Sequence, residues 1–164
     1  MNEQTIHVLV GLPGSGKTTF YESVANGVFR GAVRISLDDF RRQCTKQDFV
    51  LGFEPWVKAW VDVTVPYLLA HGQSVVLDAT NISRAIREKS VRDAKAAGVH
   101  AVCWLIDVPN IEAWRRNAER ERFVGEDVFE GMVERFERPS AEEGFDSMYR
   151  VISVDGTWKV EGLR

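Results

Sequence analysis

The chain has 164 residues and a formal net charge of −3, with 45% hydrophobic and 27% charged residues. This length and composition predict one domain with a full core over residues 1–164, and the charge excludes a globally basic nucleic-acid-binding surface. No apolar run is long enough to span a membrane and residues 1–5 lack the features of a signal peptide, so we expect a cytoplasmic protein without membrane contact.

A predicted strand over residues 6–10 leads into a glycine-rich loop that matches the pattern G-x-x-x-x-G-K-[ST]. Glycines let backbone N–H groups converge on phosphate oxygens, and the helix that follows adds its positive N-terminal end. Lys17 would reach the β and γ phosphates, and the Thr18 hydroxyl would be a magnesium ligand. A turn that binds nothing is the alternative, but the position between strand and helix favours nucleotide binding. The predicted binding residues are Gly11, Leu12, Pro13, Gly14, Ser15, Gly16, Lys17, Thr18 and Thr19.

A second short strand over residues 32–36 ends directly before a predicted helix. Asp38 would lie at the strand end with Arg41 one helical turn further on, so both side chains can face one cleft. A carboxylate in this position can accept a proton from a hydroxyl that attacks the γ phosphate. The same residues allow a purely structural interpretation, in which Ser36, Asp38 or Asp39 caps the helix. The spacing alone leaves both interpretations open.

A long helix is predicted over residues 54–72, where an internal proline would kink or split it, and a strand over 74–78 follows. Asp78 ends this strand, where an acidic residue can coordinate magnesium through water. Thr80 and Asn81 come next, and they resemble a turn or a helix cap as much as a binding segment. We favour a function because this segment should lie beside the glycine-rich loop.

The second half of the chain continues the alternation of strands and helices. Helices are predicted over 84–97, 111–123 and 128–136, and strands over 99–106 and 148–154. Asp127 can cap the last of these helices, and residues 158–160 are interpreted as a terminal extension.

An arginine cluster falls within eight positions of the helix predicted over 111–123. It consists of Arg115, Arg116, Arg120 and Arg122. Arg116 and Arg120 are four residues apart, hence on one face of a helix, and Gly125 predicts a break before the next helix. Two helices around a break can form a mobile lid, here about 115–138, that brings cations to the transferred phosphate. The alternative is a solvated helix whose interleaved glutamates neutralise the arginines.

The order of elements predicts an α/β fold of the three-layer P-loop NTPase type. It would have a mostly parallel five-stranded sheet, helices on both faces and a helical lid. Ligands collect at the carboxyl ends of parallel strands. Polar residues follow three strand ends, in segments 11–19, 36–39 and 78–81. These segments therefore predict one common site.

Taken together, the motifs resemble the kinase module of polynucleotide 5′-hydroxyl kinases over about residues 6–154. The resemblance rests on segments 11–18, 36–41 and 78–81 and on the pattern R-N-x-x-R that begins at Arg116. Segment 136–145 is similar to the one before the last strand in the kinase domain of eukaryotic polynucleotide kinase-phosphatases. The glycine-rich loop is shared by a vast superfamily, whereas the combination of motifs is much narrower.

The resemblance implies an enzyme that transfers the γ phosphate of ATP, with Mg²⁺, to 5′-hydroxyl ends of DNA or RNA. It implies a general base at Asp38, a phosphate contact at Arg41, an acceptor site at Asp78, Thr80 and Asn81, and catalytic cations at Lys17, Arg116 and Arg120. The best-known phage enzyme has D-T-N, so its aspartate aligns with Ala79 and the role of Asp78 is the less certain one. The nucleophile motif of a phosphatase domain is absent from the sequence.

Two other functions remain open from the sequence. A small-molecule kinase or a zeta-toxin-like kinase would share the loop, the aspartate after the second strand and the lid arginines. A regulatory module that binds a nucleotide without transferring phosphate would have no need of a carboxylate at Asp38. A neutral acceptor would give Arg41 no phosphate to hold.

Overall fold

A six-stranded sheet forms the centre of the structure, a computed structural model that describes residues 3–163. Its strands are β1 (Thr5–Val10), β2 (Val33–Ser36), β3 (Val75–Asp78), β4 (His100–Ile106), β5 (Ser147–Val154) and β6 (Thr157–Gly162). Their order across the sheet is β2-β3-β1-β4-β5-β6, with the first five strands parallel and β6 antiparallel to β5. The predicted α/β class with a mostly parallel sheet is confirmed.

Six α-helices connect the strands in the described part of the chain. They are α1 (Lys17–Val24), α2 (Leu37–Thr45), α3 (Glu54–Ala70), α4 (Arg84–Ala97), α5 (Asn110–Glu119) and α6 (Glu126–Glu134). Two short 3₁₀ turns lie at Leu51–Phe53 and Ala141–Glu143. Within residues 3–163, every helix is too short or too polar to cross a lipid bilayer.

The sheet is covered on both faces because successive side chains of a strand point in opposite directions. On β1, Val8 joins one buried core with Val65 of α3 and Val91 of α4. The next residue, Leu9, joins a second core with Phe20 of α1. The continuous apolar run of β1 therefore reflects burial on both faces, as in other central parallel strands.

The sheet has one strand more than the five predicted. The extension predicted at residues 158–160 is part of β6, which forms a hairpin with β5 and pairs in the register Val151↔Val160. Asp155 and Gly156 form the turn, with φ values of 50° and 77°. An Asp-Gly pair between two strands is typical of a two-residue hairpin turn with left-handed backbone. The sequence analysis did not use this signal.

Two helix predictions in the lid segment are wrong. Helix α5 ends at Glu119 rather than at residue 123, because the buried Asn117 side chain bonds both backbone groups of Val124, at 2.8 and 3.2 Å, and holds the loop that follows. Arg120 therefore lies in that loop and not on a helical face shared with Arg116. The next helix begins at residue 126, so Asp127 lies inside it and is not its cap.

Other boundaries agree better with the sequence. Helix α3 passes through Pro66 as one element, so the proline does not split it. Helix α4 has the predicted ends at 84 and 97, with Gly98 in the left-handed conformation directly after it. Helix α1 follows the glycine-rich loop, as the motif predicts, and ends at Val24.

A buried ion pair fixes the loop after β3. Arg87 of α4 is fully buried, and its guanidinium donates to both carboxylate oxygens of Glu143, at 2.7 and 2.6 Å. A third bond, of 3.0 Å, goes to the backbone carbonyl of Asn81. Helix α4, the turn at Ala141–Glu143 and the loop after β3 are thereby joined at one point.

We expect Glu143→Ala to lower the free energy of unfolding by about 3–5 kcal/mol, because it leaves the Arg87 charge buried without its partner. Urea unfolding followed by circular dichroism measures the loss. The matched control is Arg84→Ala. Arg84 lies three residues before Arg87 on α4, and its guanidinium is partly exposed and pairs with Glu88. A loss in Glu143→Ala no greater than in the control would contradict this account.

Candidate active site

The glycine-rich loop lies between β1 and α1 and is packed closely from two sides. A Cβ atom at Gly14 would overlap the carbonyl oxygen of Ala113 on α5. On another side, the Gly11 amide donates a 3.0 Å bond to the carbonyl of Thr80, in the loop after β3. Gly14 and Gly16 have φ values of 77° and 98°, a backbone conformation that glycine adopts readily. The predicted strand–loop–helix order is confirmed.

Lys17 is the first residue of α1, and its side chain folds back over the loop. The ammonium group donates to the carbonyls of Gly11 and Leu12, at 2.8 and 2.9 Å. Loss of solvent around this group lowers the pKa of Lys17 to about 8, an effect that nearby Asp78 opposes and Arg120 reinforces. A phosphate in the loop would supply the negative charge that favours the protonated lysine.

Asp78 ends β3 with its side chain buried beside Thr18. Its Oδ2 atom lies 3.3 Å from the Thr18 hydroxyl, which donates to it. The same atom accepts bonds of 2.9 and 2.6 Å from Arg34 of β2. Arg34 also pairs with Asp39 at 2.7 Å, so one guanidinium joins the ends of β2 and β3. The sequence analysis did not select Arg34. Its charge within a short predicted strand was the one feature that could have indicated a role.

The oxygens of Thr18 and Asp78 fit the role of magnesium ligands. Magnesium at phosphate sites takes one or two protein oxygens and completes its shell with phosphates and water. Among the residues that the structure describes, no group of three or more histidine, cysteine or acidic side chains could hold a metal. When bound here, Mg²⁺ would neutralise charge on the β and γ phosphates.

Asp38 is available for chemistry because Ser36 caps α2. The Ser36 hydroxyl accepts a 3.2 Å bond from the Asp39 amide, so Ser36 makes the cap for which the sequence left three candidates. The Asp38 side chain is 50% exposed and pairs instead with Arg41 at 2.8 Å and with Arg122 at 3.0 Å. The structure thus places a solvent-accessible carboxylate between two guanidinium groups.

Arg41 is held by two carboxylates. Its Nε and Nη2 atoms donate to both oxygens of Glu54, at 2.7 and 2.8 Å, and its third nitrogen contacts Asp38. The hydrogen bonds to Glu54 raise the pKa of Arg41 further above its ordinary value. A phosphate bound by Arg41 would therefore have to replace or share the contact with Glu54. The sequence analysis missed Glu54, an acidic residue in the first turn of α3.

The two polar residues predicted to line the acceptor site have different surroundings. Thr80 is partly exposed, and its carbonyl binds Gly11 of the glycine-rich loop. Asn81 is buried with a left-handed φ of 45°, and its amide donates a 2.7 Å bond to the carbonyl of Leu9. Asn81 therefore fixes the loop after β3 against β1.

The arginine cluster divides between the site and the outer surface. Arg115 pairs with Glu112 and Glu119 on the exposed side of α5, as the solvated-helix alternative predicts. Arg116 donates to Glu112 at 2.6 Å, and its Nη1 atom lies 4.0 Å from the position of a Cβ at Gly16. The structure thus brings Arg116 to the glycine-rich loop.

The loop after α5 carries the other two arginines to the side of Asp38. Partial desolvation and the positive charge of Arg122 lower the pKa of Arg120, whereas Asp38 and Asp48 act in the opposite direction. Arg120 makes no salt bridge within residues 3–163. Because Arg122 places a second positive charge beside Arg120, the pair favours an anionic ligand. Arg122, which no sequence argument selected as a site residue, makes the direct contact with Asp38.

The β1–loop–α1 unit, with a buried aspartate at the end of the adjacent strand β3, defines a P-loop kinase fold, which implies ATP binding. A family model described as an AAA domain matches residues 6–139, and the chain belongs to this family.

Several proteins of known name are similar to the chain. L-seryl-tRNA(Sec) kinase of Methanococcus maripaludis is 23% identical over 159 residues, which cover 94% of this chain and 60% of that protein. A chain in the structure of the Pnkp1/Rnl/Hen1 RNA repair complex is 25% identical with a TM-score of 0.70, over 82% of this chain and 44% of the other. A structure from the PezAT toxin-antitoxin system of Streptococcus pneumoniae is 16% identical with a TM-score of 0.74, over 96% and 71%. The chain therefore spans less than two thirds of the tRNA kinase and less than half of the repair-complex chain.

We expect Asp78→Ala to weaken Mg²⁺ binding about 10- to 100-fold in the presence of saturating ADP, because a buried oxygen beside the phosphates is lost. Calorimetric titration of MgCl₂ into the ADP complex measures the effect. Asp107→Ala is a suitable control, since Asp107 follows the end of β4 and pairs with Arg138 and Arg150 in the same way. Equal Mg²⁺ affinity in wild type and Asp78→Ala would exclude Asp78 from the metal site.

Proposed function

We propose that the protein is an ATP-dependent polynucleotide 5′-hydroxyl kinase, which transfers the γ phosphate of ATP to the 5′-OH end of DNA or RNA. The observation that carries this proposal is the position of Asp38. Its carboxylate lies in the first turn of α2, directly after β2, is half exposed, and is not used to cap the helix. A carboxylate on the same sheet edge as the phosphate loop can orient an attacking hydroxyl.

In the proposed reaction the acceptor oxygen attacks the γ phosphorus and its proton passes to Asp38. The bond between the γ phosphorus and the bridging oxygen breaks, and ADP leaves. Lys17, Arg116 and Arg120 are proposed to stabilise the negative charge of the transferred group and the leaving phosphates. Arg116 already lies beside the glycine-rich loop, so closure of the segment 115–138 would have to deliver only Arg120, which lies in the loop after α5.

The charges around Asp38 support an acceptor that carries its own anion. Arg41 and Arg122 contact this carboxylate from two elements, α2 and the loop after α5. In an oligonucleotide with a free 5′-hydroxyl, the nearest phosphate is on the 3′-oxygen of the same nucleoside, so an arginine beside Asp38 can contact this phosphate while the hydroxyl faces the carboxylate. The similarity to an enzyme named for a tRNA substrate and to a chain of an RNA repair complex is a second line of support for a nucleic-acid acceptor.

A small-molecule or zeta-toxin-like kinase is the second candidate. It is favoured by the contact of Arg41 with Glu54, in which two nitrogens of the guanidinium donate to the two carboxylate oxygens. Arg41 can therefore bind a phosphate through two hydrogen bonds only after this contact with Glu54 breaks. The likeness to the PezAT structure is one of fold. A nucleotide-binding module without phosphate transfer is the least supported, because it gives Asp38 no role.

Radiolabelled ATP with Mg²⁺ tests the acceptor directly. We expect label on DNA or RNA oligonucleotides with a 5′-hydroxyl and none on the same strands with a 5′-phosphate. Parallel reactions contain seryl-tRNA, nucleoside 3′-monophosphates and small alcohols. Label that appears only on seryl-tRNA or only on a small molecule would overturn the proposal.

Asp38→Ala tests the catalytic role of the carboxylate. We expect turnover to fall about 10²- to 10⁴-fold while the affinity for ADP changes little, because a general base acts on the acceptor and not on the donor. Asp39→Ala is the matched control: the side chain is adjacent, similarly exposed and also paired with an arginine. Near-normal turnover in Asp38→Ala, or an equal loss in Asp39→Ala, would argue against the assignment.

A further inference from the structure

The β5–β6 hairpin brings Trp158 to the phosphate loop. A Cβ atom at Gly16 would lie 3.2 Å from Cη2 of the Trp158 ring. The ring is partly exposed and packs at a steep angle on Phe20 of α1, with centroids 5.6 Å apart. The indole thus packs on Phe20, lies beside the loop and keeps part of its surface exposed. Residues 147–162 lie outside the range matched by the family model.

Arg116 approaches the loop at the same glycine as the Trp158 ring. Its Nη1 atom is 4.0 Å from the same Cβ position at Gly16, and its Nε atom is held by Glu112. Lys17 and Thr18, which would take the β and γ phosphates and the metal, follow Gly16 in the chain. Two planar groups, an indole and a guanidinium, therefore both lie within 4.0 Å of the Cβ position at Gly16, immediately before the residues expected to hold the phosphates and the metal.

We propose that Trp158 is the stacking surface for the base of the donor nucleotide. Aromatic rings stack on any nucleobase, and a partly exposed indole that already packs on Phe20 offers such a surface at low entropic cost. This inference rests only on the donor part of the proposed function, the binding of a nucleoside triphosphate. It makes no use of the acceptor.

Paired ligands with and without a base test the proposal. ADP and inorganic pyrophosphate are titrated, each with Mg²⁺, into wild type, Trp158→Ala and Trp158→Phe. We expect Trp158→Ala to weaken ADP binding roughly 5- to 150-fold and to leave pyrophosphate binding unchanged. Trp158→Phe should keep most of the ADP affinity, because a phenyl ring also stacks. The control Trp56→Ala removes an indole that is 68% exposed on α3 and should change neither ligand.

Two outcomes would overturn the proposal. One is unchanged ADP affinity in Trp158→Ala. The other is an equal loss for ADP and pyrophosphate, which would mean that Trp158 only supports the loop. Quenching of tryptophan emission by ADP, but not by pyrophosphate, should be present in wild type and absent in Trp158→Phe; this readout stands if the alanine variant fails to fold. Because no acceptor is present, these results are independent of the oligonucleotide assay.

Discussion

Parallel pairing of β1 with both of its neighbours is the constraint on which the site depends. The register Val8↔Leu77 aligns β1 with β3, and Val10↔Leu105 aligns it with β4. The loop after β1 must therefore emerge between the ends of these two strands, where Asp78 and the start of α5 are found. The buried amide of Asn81 ties the loop after β3 to β1, since it donates to the backbone carbonyl of Leu9.

The charges of the site are organised as alternating cations and anions. Arg34 joins Asp78 to Asp39, and Asp38 lies between two further guanidinium groups. These pairs hold each carboxylate in position before any ligand binds, at the cost that a bound phosphate has to share or exchange a cation. The lowered pKa of Lys17 fits the same scheme, because burial removes solvent from its ammonium, which donates to the backbone carbonyls of Gly11 and Leu12. A triphosphate would complete this pattern of charges.

The lid segment and the β6 hairpin approach the glycine-rich loop from different parts of the chain. Helix α5 packs so closely on Gly14 that no side chain fits there, and this contact fixes Arg116 beside the loop. The hairpin brings Trp158 to the neighbouring Gly16. Glycine at these two positions therefore allows the loop to pack closely on α5 and on the hairpin, in addition to allowing its left-handed backbone conformation. The proposed donor site is built from these contacts.

The sequence by itself determined what depends on neighbours along the chain. The phosphate loop is a contiguous pattern, α4 was predicted from its apolar period and final glycine, and the i,i+3 spacing predicted that Asp38 and Arg41 can face one cleft. The tertiary structure alone decided the contacts between residues far apart in the chain. These contacts are Arg34 with Asp78, Glu54 with Arg41, Arg122 with Asp38, and Trp158 with Gly16. These contacts depend on the order of the strands and on the length of the side chains. Neither of these produces a periodic pattern or a fixed spacing in the sequence.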